Sequence, residues 1–389
     1  MNLADPRTFE SDLTEFWRST RAHNPVYRHE PHGFWVVSRH ADVLAVYRDA
    51  ARYTSERGNV LVTLLAGGDS AAGRMLAVTD GPRHRELRQI LQRAFTPDAL
   101  ERLTRRVRRT TRILVVDAVS RGDCDFAADI AGRIPITTVG HLLGVPDPDH
   151  DFLLTRTKRA LSSDDRDSDE LESSLARNEI LAYFTDLLAQ RRTTPADDVL
   201  SALAATGLST EEIVLNCYSL IIGGDETSRL SMIEAVRALA AHPSQWHLLR
   251  NGEATLPAAT DEVLRWSTPA MHFGRTAVAD TEIAGHAIVA GDIVTLWHSS
   301  ANRDEAVFAD PDRFDLRRSP NKHLAFGYGP HYCVGAQLAR IEIAELLSAL
   351  RQYATGFEIV GEPSRIHSNF LTGYSTLPVR FVPDTAELY

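Results

Sequence analysis

Cys333 closes a glycine-rich run, Phe326-Gly327-Tyr328-Gly329-Pro330-His331-Tyr332-Cys333-Val334-Gly335. Leu338, Ala339, Ile343, Leu346, Leu347 and Leu350 follow at helical spacing, which predicts a loop turning into a helix at the cysteine. The start of a helix carries partial positive charge and unpaired N–H donors, a setting that favours a thiolate and hence metal ligation. Residue type alone leaves other chemistries open. A lone cysteine is commonly a small buried hydrophobe. His331 and Cys333 are two zinc-type ligands, but no second Cys or His pair stands at zinc spacing. A Cys–His nucleophile needs a third group to orient it. A second chemical stretch is Gly223-Gly224-Asp225-Glu226-Thr227-Ser228, acid and hydroxyl residues beside two glycines in an apolar segment. A third is His84 and Arg88, four apart on one helical face and suited to a carboxylate.

The elements that carry these residues follow from pattern. Asp80-Gly81-Pro82 opens the His84–Arg88 helix, with Asp80 as cap and Pro82 in the first turn. A long helix is predicted over 211–241, and its central glycines each cost about 1 kcal/mol against alanine. A core helix gains nothing from glycines and acids unless something needs the room and polarity. A helix over 6–21, a hairpin around His32-Gly33, a short helix over 41–48 and a mostly apolar helix over 126–145 ending near Gly144 are also expected. The segment 59–79, apolar residues mixed with glycines, reads as a mobile loop or a short helix and ordinary loop over an apolar pocket. Helices over 151–160 and 171–191 flank the acidic run 162–169, read as a solvated connection. Glu262 and Arg265, three apart, form an ion-pair spacing.

Composition narrows the classes. The net charge of −10 argues against nucleic acid as the main partner. Three widely spaced cysteines fit a reducing cytoplasm without a disulfide framework. The N-terminal residues have neither a signal-type apolar run nor a membrane-length one. No linker or repeat divides the chain, so one domain over 1–389 is expected.

The pattern Phe-Gly-x-Gly-x-His-x-Cys-x-Gly resembles the haem-ligand loop of the cytochrome P450 family, with all six fixed positions present. Other segments resemble the same family in the expected order: the His84–Arg88 helix, Gly223 to Thr227, Glu262-x-x-Arg265, Arg275 in Phe273-Gly274-Arg275, Ala301-Asn302-Arg303-Asp304, and a C-terminal hairpin at 371–374. The family more often has Pro where this chain has Gly81, with little consequence expected. The resemblance spans about residues 6–382 and is to the soluble, bacterial-type members. It implies a mainly α fold with small β-sheets around one buried haem b.

The resemblance also assigns roles. Cys333 is the iron ligand, and His84, Arg88, Arg275 and His331 anchor the two propionates. Phe326 and Gly335 belong to the loop, and Gly223 and Gly224 to the oxygen groove. Thr227 orients a proton-delivering water, with Glu226 as relay acid. Glu262 and Arg265 are structural, locked to a downstream arginine for which Arg313 is well placed. The implied reaction inserts one atom of O2 at a C–H or C=C bond. Electrons come from a ferredoxin and its reductase, docked on a basic set of Arg83, Arg85, Arg93, Arg105, Arg106, Arg108 and Arg109 or, on the plainer reading, meeting a face that is merely solvated. A cytoplasmic monomer is expected. The substrate pocket is expected from 60–65, 220–224, 269–273 and 370–374, with His272 titrating near neutral pH. The substrate class reads as a bacterial natural-product intermediate, polyketide or peptide-derived, free or carrier-bound. Steroid or fatty-acid hydroxylation, a peroxide-driven enzyme and a non-catalytic haem-binding recruiting or sensor module are the alternatives.

Overall fold

The computed structural model describes residues 1–161 and 170–388. The acidic run 162–169 lies outside them. The helix Thr210–Ala241 is the spine. It starts at a reciprocal cap: the Ser209 side chain accepts from the Glu212 amide, and the Glu212 carboxylate accepts from the Ser209 amide. At about 1.5 Å per residue it runs for about 48 Å. Its first half buries Ile213, Cys217 and Ile221 with Leu153, Ile180 and Phe184. Its second half buries Met232, Ile233, Val236 and Leu239 with Val115, Leu346 and Leu347. The chemical stretch 223–227 therefore sits between two packed halves of the core.

The helix Ala336–Tyr353, which follows Cys333, packs along Pro97–Arg121 and crosses the central helix. A five-stranded sheet takes the order Val26–His29, Phe34–Val37, Ile293–Trp297, His272–Ala277, Tyr53–Thr54. The 34–37 and 293–297 strands pair parallel, and the other pairs are antiparallel. A three-stranded sheet joins Asp123–Asp125, Pro378–Pro383 and Ala354–Ile359. The mainly α architecture with small sheets is as expected, and the His32-Gly33 hairpin is present. Among the described residues, no helix is long and apolar enough to cross a membrane.

Several local expectations change. The helix expected over 6–21 is two pieces, Pro6–Glu10 and Thr14–His23. Asp12 accepts from both the amide and the hydroxyl of Thr14, at 2.9 and 2.7 Å, and so competes with a continuous helix. The expected 126–145 helix begins as a π turn, Ala127–Ala131, before Arg133–Leu143. Gly144 then ends it in the left-handed region, φ 78°. The stretch 59–79 takes the second of its two expected forms, a short helix followed by a loop. Leu61–Leu65 is a helix with Leu61 and Leu64 turned inward, and the Asn216 side chain bridges the Leu76 amide and the Arg74 carbonyl, both at 2.9 Å.

Candidate active site

The cysteine loop is shaped by its glycines. Gly329 has φ 75°, and a Cβ there would stand 2.8 Å from the Tyr47 carbonyl oxygen, so no side chain fits without backbone movement. The loop closes on itself where the Cys333 amide donates to the Phe326 carbonyl at 3.0 Å. Arg340 covers the Phe326 ring at 4.6 Å and bonds Asp261 at 3.0 Å. Cys333 is the most accessible of the three cysteines. Burial nonetheless pushes its thiol pKa up, against the Gly335 amide and the charges of Arg88 and Arg340. A metal charge at the sulfur would favour the thiolate.

Around the loop lie two arginines and an imidazole without anionic partners among the described residues. His84 is buried with Nε2 unbonded. Burial, then His331 and Arg88, lower its pKa to about 4, leaving a neutral ring. Arg88 has no ion pair among the described residues, and burial lowers its pKa. Arg275 is buried over the Tyr47 ring at 5.2 Å and donates to the Gly274 carbonyl at 2.7 Å. His331 is engaged differently: its Nε2 lies 2.7 Å from Asp80 Oδ1, and its ring centroid 4.4 Å from that of His84.

Asp80 is the residue the sequence misread. It stands before the helix Gly81–Gln92 but makes no side-chain cap bond. Its carboxylate takes the Thr54 hydroxyl at 2.6 Å, the Ser55 amide at 2.7 Å and His331. Burial opposes the charge, but these bonds hold the carboxyl well below the usual carboxylate range. Gly81 is also consequential, because its φ of 62° is closed to the proline common at this place in the family.

On the central helix the two glycines divide. Gly223 is open, with nothing near a would-be Cβ, whereas a Cβ on Gly224 would meet Val139 at 3.3 Å. Gly224 is thus a packing contact and Gly223 the open position. Thr227 donates to the Gly223 carbonyl at 2.7 Å on the same accessible face. Glu226 is fully buried, and both its oxygens meet Arg229, at 2.9 and 2.5 Å. The acid and the alcohol are neighbours in sequence but differ in access. Behind them lie two acids that the sequence did not single out. Asp225 accepts from Thr157 at 2.6 Å, and burial, then Glu226, raises its pKa to about 7. Burial raises Glu342 to about 8, against bonds from Ser228 and Thr138.

Three of the expected pocket segments, those around 60–65, 269–273 and 370–374, are joined to one another by backbone bonds. The Met271 amide bonds the Phe370 carbonyl, Thr372 bonds Pro269, and Gly274 bonds Asn59, at 2.9, 2.9 and 2.8 Å. Phe273 and Phe370 meet edge to face at 5.5 Å. Gly373 approaches the central helix so closely that a Cβ would lie 2.8 Å from Leu230. His272 corrects an expectation: it is fully buried against Trp297, and burial lowers its pKa to about 3. It does not titrate near neutral pH.

Glu262 and Arg265 form the expected pair, fully buried, at 2.8 Å through both oxygens. The further arginine is Arg318, 3.1 Å from Glu262, not Arg313. Arg313 lends only its carbonyl, which accepts from Arg265 and Arg318.

An unbonded buried imidazole and two arginines without carboxylate partners, beside a cysteine at a loop–helix junction, fit a planar group bearing two carboxylates and a thiolate-bound metal. The chemistry of the donor set therefore fits haem. The family model "Cytochrome P450" matches residues 254–359. Cytochrome P450 NovI of Streptomyces niveus is 46% identical over 98% of this chain and 96% of that protein. Linalool 8-monooxygenase of Pseudomonas putida is 33% identical over 98% and 99%. The crystal structure of P450 OxyD, involved in the biosynthesis of vancomycin-type antibiotics, superposes with TM-score 0.89 at 36% identity, covering 98% of this chain and 99% of that one. With likeness of this depth along almost its whole length, the chain belongs to the cytochrome P450 family, the haem b monooxygenases.

Proposed function

We propose that this P450 hydroxylates or epoxidises an intermediate of bacterial natural-product assembly, peptide-derived or polyketide, free or presented on a carrier protein. The observation that supports this most is the likeness to OxyD, whose pathway makes vancomycin-type antibiotics. The apolar wall of Leu230, Phe273, Phe370 and Leu371 suits the body of such a substrate.

The site residues take these roles in the proposal. Cys333 would be the iron ligand, and His84, Arg88 and Arg275 would hold the propionates, with His331 set in place by Asp80. The bound haem supplies oxygen activation, which a thiolate ligand promotes. Thr227 spends its own proton on the Gly223 carbonyl, so its oxygen is free to accept from a water and hold it for proton delivery. Glu226 serves as relay acid only by loosening from Arg229. Arg85, Arg93, Arg106 and Arg109 are exposed without ion pairs among the described residues and offer an acidic ferredoxin a landing face. Arg83, Arg105 and Arg108 are already paired with glutamates. The protein works as a monomer in the cytoplasm, with ferredoxin reductase completing the electron chain.

The test is a haem spectral titration against free and carrier-loaded amino acids and ketides, steroids and fatty acids. Amino-acid or ketide ligands, free or carrier-loaded, are expected to shift the spectrum, with coupled NAD(P)H-dependent turnover. Coupled turnover confined to steroids or fatty acids would overturn the substrate reading, and no turnover with any donor would favour a binding module. Independently, Cys333→Ser is expected to abolish the thiolate-type spectrum of the reduced CO complex. Retention of that spectrum would remove Cys333 as ligand.

A further inference from the structure

The turn between the helices Arg133–Leu143 and His150–Leu161 gathers His141, Asp147 and His150. One donor atom from each lies within 4.8 Å of the others. His141 Nε2 is 2.6 Å from Asp147 Oδ1, and the two imidazole rings meet edge to face at 5.1 Å. His150 is only 7% exposed, yet its Nε2 has no hydrogen-bond partner; the same holds for His141 Nδ1. Buried polar atoms are nearly always bonded, so two orphaned ring nitrogens in one cluster need an explanation. The ring of His150 occupies room left by a glycine: a Cβ on Gly140 would stand 2.6 Å from its Nε2. None of these residues belongs to the wall around Cys333.

The surroundings favour a cation. Asp147, Asp149 and Asp151 flank His150. Two arginines oppose them, and one of these, Arg133, is taken by Asp151. The other, Arg106, acts on His141 and Asp147 from a distance. Burial lowers the pKa of both histidines, which leaves neutral rings with a lone pair to donate.

We propose that His141, Asp147 and His150 form a binding site for a divalent transition metal of the zinc class, with water completing its shell. Two imidazoles and one carboxylate suit zinc and its first-row neighbours and disfavour magnesium and calcium, which take oxygen ligands. Such an ion would tie the start of the His150–Leu161 helix to the end of Arg133–Leu143. Thr157 on that helix bonds Asp225 of the central helix at 2.6 Å, so the clamp would reach the acids behind Thr227.

The experiment uses tag-free holoenzyme, stripped with chelator and titrated calorimetrically with Zn2+. One equivalent is expected to bind, at least about tenfold more weakly in Asp147→Asn and in His141→Gln. Asp147 has a largely exposed side chain, 79%, so its variant is expected to keep the wild-type CO spectrum and fold. Zinc-edge absorption of the loaded protein should show two imidazole nitrogens and oxygen in the shell. No saturable single equivalent, unchanged affinity in both variants, or a shell without imidazole would overturn the proposal.

Discussion

Two buried charged regions of this molecule are built on opposite plans. Around Glu262 every charge has an internal partner. Its two oxygens receive Arg265 twice, Arg318, the Asp315 amide and Asn321, and Arg265 also donates to the carbonyls of Asn302, Pro311 and Arg313. Around Cys333 the donors are left open: the neutral His84 ring has an orphaned Nε2, and among the described residues Arg88 has no ion pair and Arg275 bonds only its neighbour's carbonyl. Desolvating a charge without a partner is expensive, so a folded protein tolerates it where a ligand supplies the partner. The closed region is architecture and the open one has the character proposed for a binding wall, although both are arginine-rich.

The largest expected effect breaks the closed region. Glu262→Ala leaves two buried arginines uncompensated and should cost roughly 3–5 kcal/mol. Little folded holoprotein should be recovered, measured as haem content per chain. Normal haem content in this variant would mean that the network is dispensable and the contrast misdrawn.

The next largest asks on which side of the contrast the central helix falls. Thr227 lies on the accessible face, whereas Glu226 is locked to Arg229. Thr227→Ala should bind haem and substrate and still consume NAD(P)H, but release hydrogen peroxide instead of oxidised product. A positioned proton-transfer group is worth about a hundredfold to ten-thousandfold, so the loss of coupled product should be of that order. Full coupling would reassign proton delivery, for instance to a substrate hydroxyl.

What the sequence made legible follows the range of each interaction. The cysteine loop could be read because its glycines and Cys333 are consecutive, and Glu262–Arg265 because three residues make one helical face. Arg318 was missed for Arg313 because nothing local distinguishes a side chain that reaches Glu262 from one that lends only a carbonyl. Asp80 carries the N-cap signature, but a tertiary partner, His331, far along the chain, outcompetes the cap. The Glu226–Arg229 pair was visible in its spacing and was overlooked because the acid–alcohol motif drew the reading instead. Gly223 and Gly224 look alike in sequence; only the packing of Val139 separates them.

A smaller effect sharpens the open side. On the proposed propionate assignment, Arg88→Ala and Arg275→Ala each remove one charge-assisted bond, worth about 1.5–3 kcal/mol, so haem affinity should fall roughly 10- to 100-fold. The apoprotein should be no less stable, and a gain is expected where an unpaired buried cation has gone. This is the reverse of Glu262→Ala. An apoprotein destabilised as strongly as that variant would place these arginines in the architecture.

The smallest effect concerns Asp225, which belongs to neither plan: a buried acid that accepts from Thr157 and has no cation bonded to it among the described residues. Burial, then Glu226, lifts its pKa from the ordinary 3.8 to about 7. Between those values the folded state holds a proton that the unfolded chain releases. The contribution of this group to stability is thus fully present below its ordinary pKa, and it is lost as pH rises through about 7. Glu342, raised to about 8, adds a loss of the same sign, and part of its shift comes from Asp225 itself. Asp225→Asn cannot ionise and relieves Glu342 of that repulsion. The stability difference, variant minus wild type, should therefore grow in the variant's favour by at least about 1 kcal/mol between acidic and mildly alkaline pH. Denaturation of the two holoproteins across that range reads the difference directly. Parallel profiles would show that Asp225 is ionised in the fold, and that Thr157, Lys158 and Arg229 compensate its charge after all.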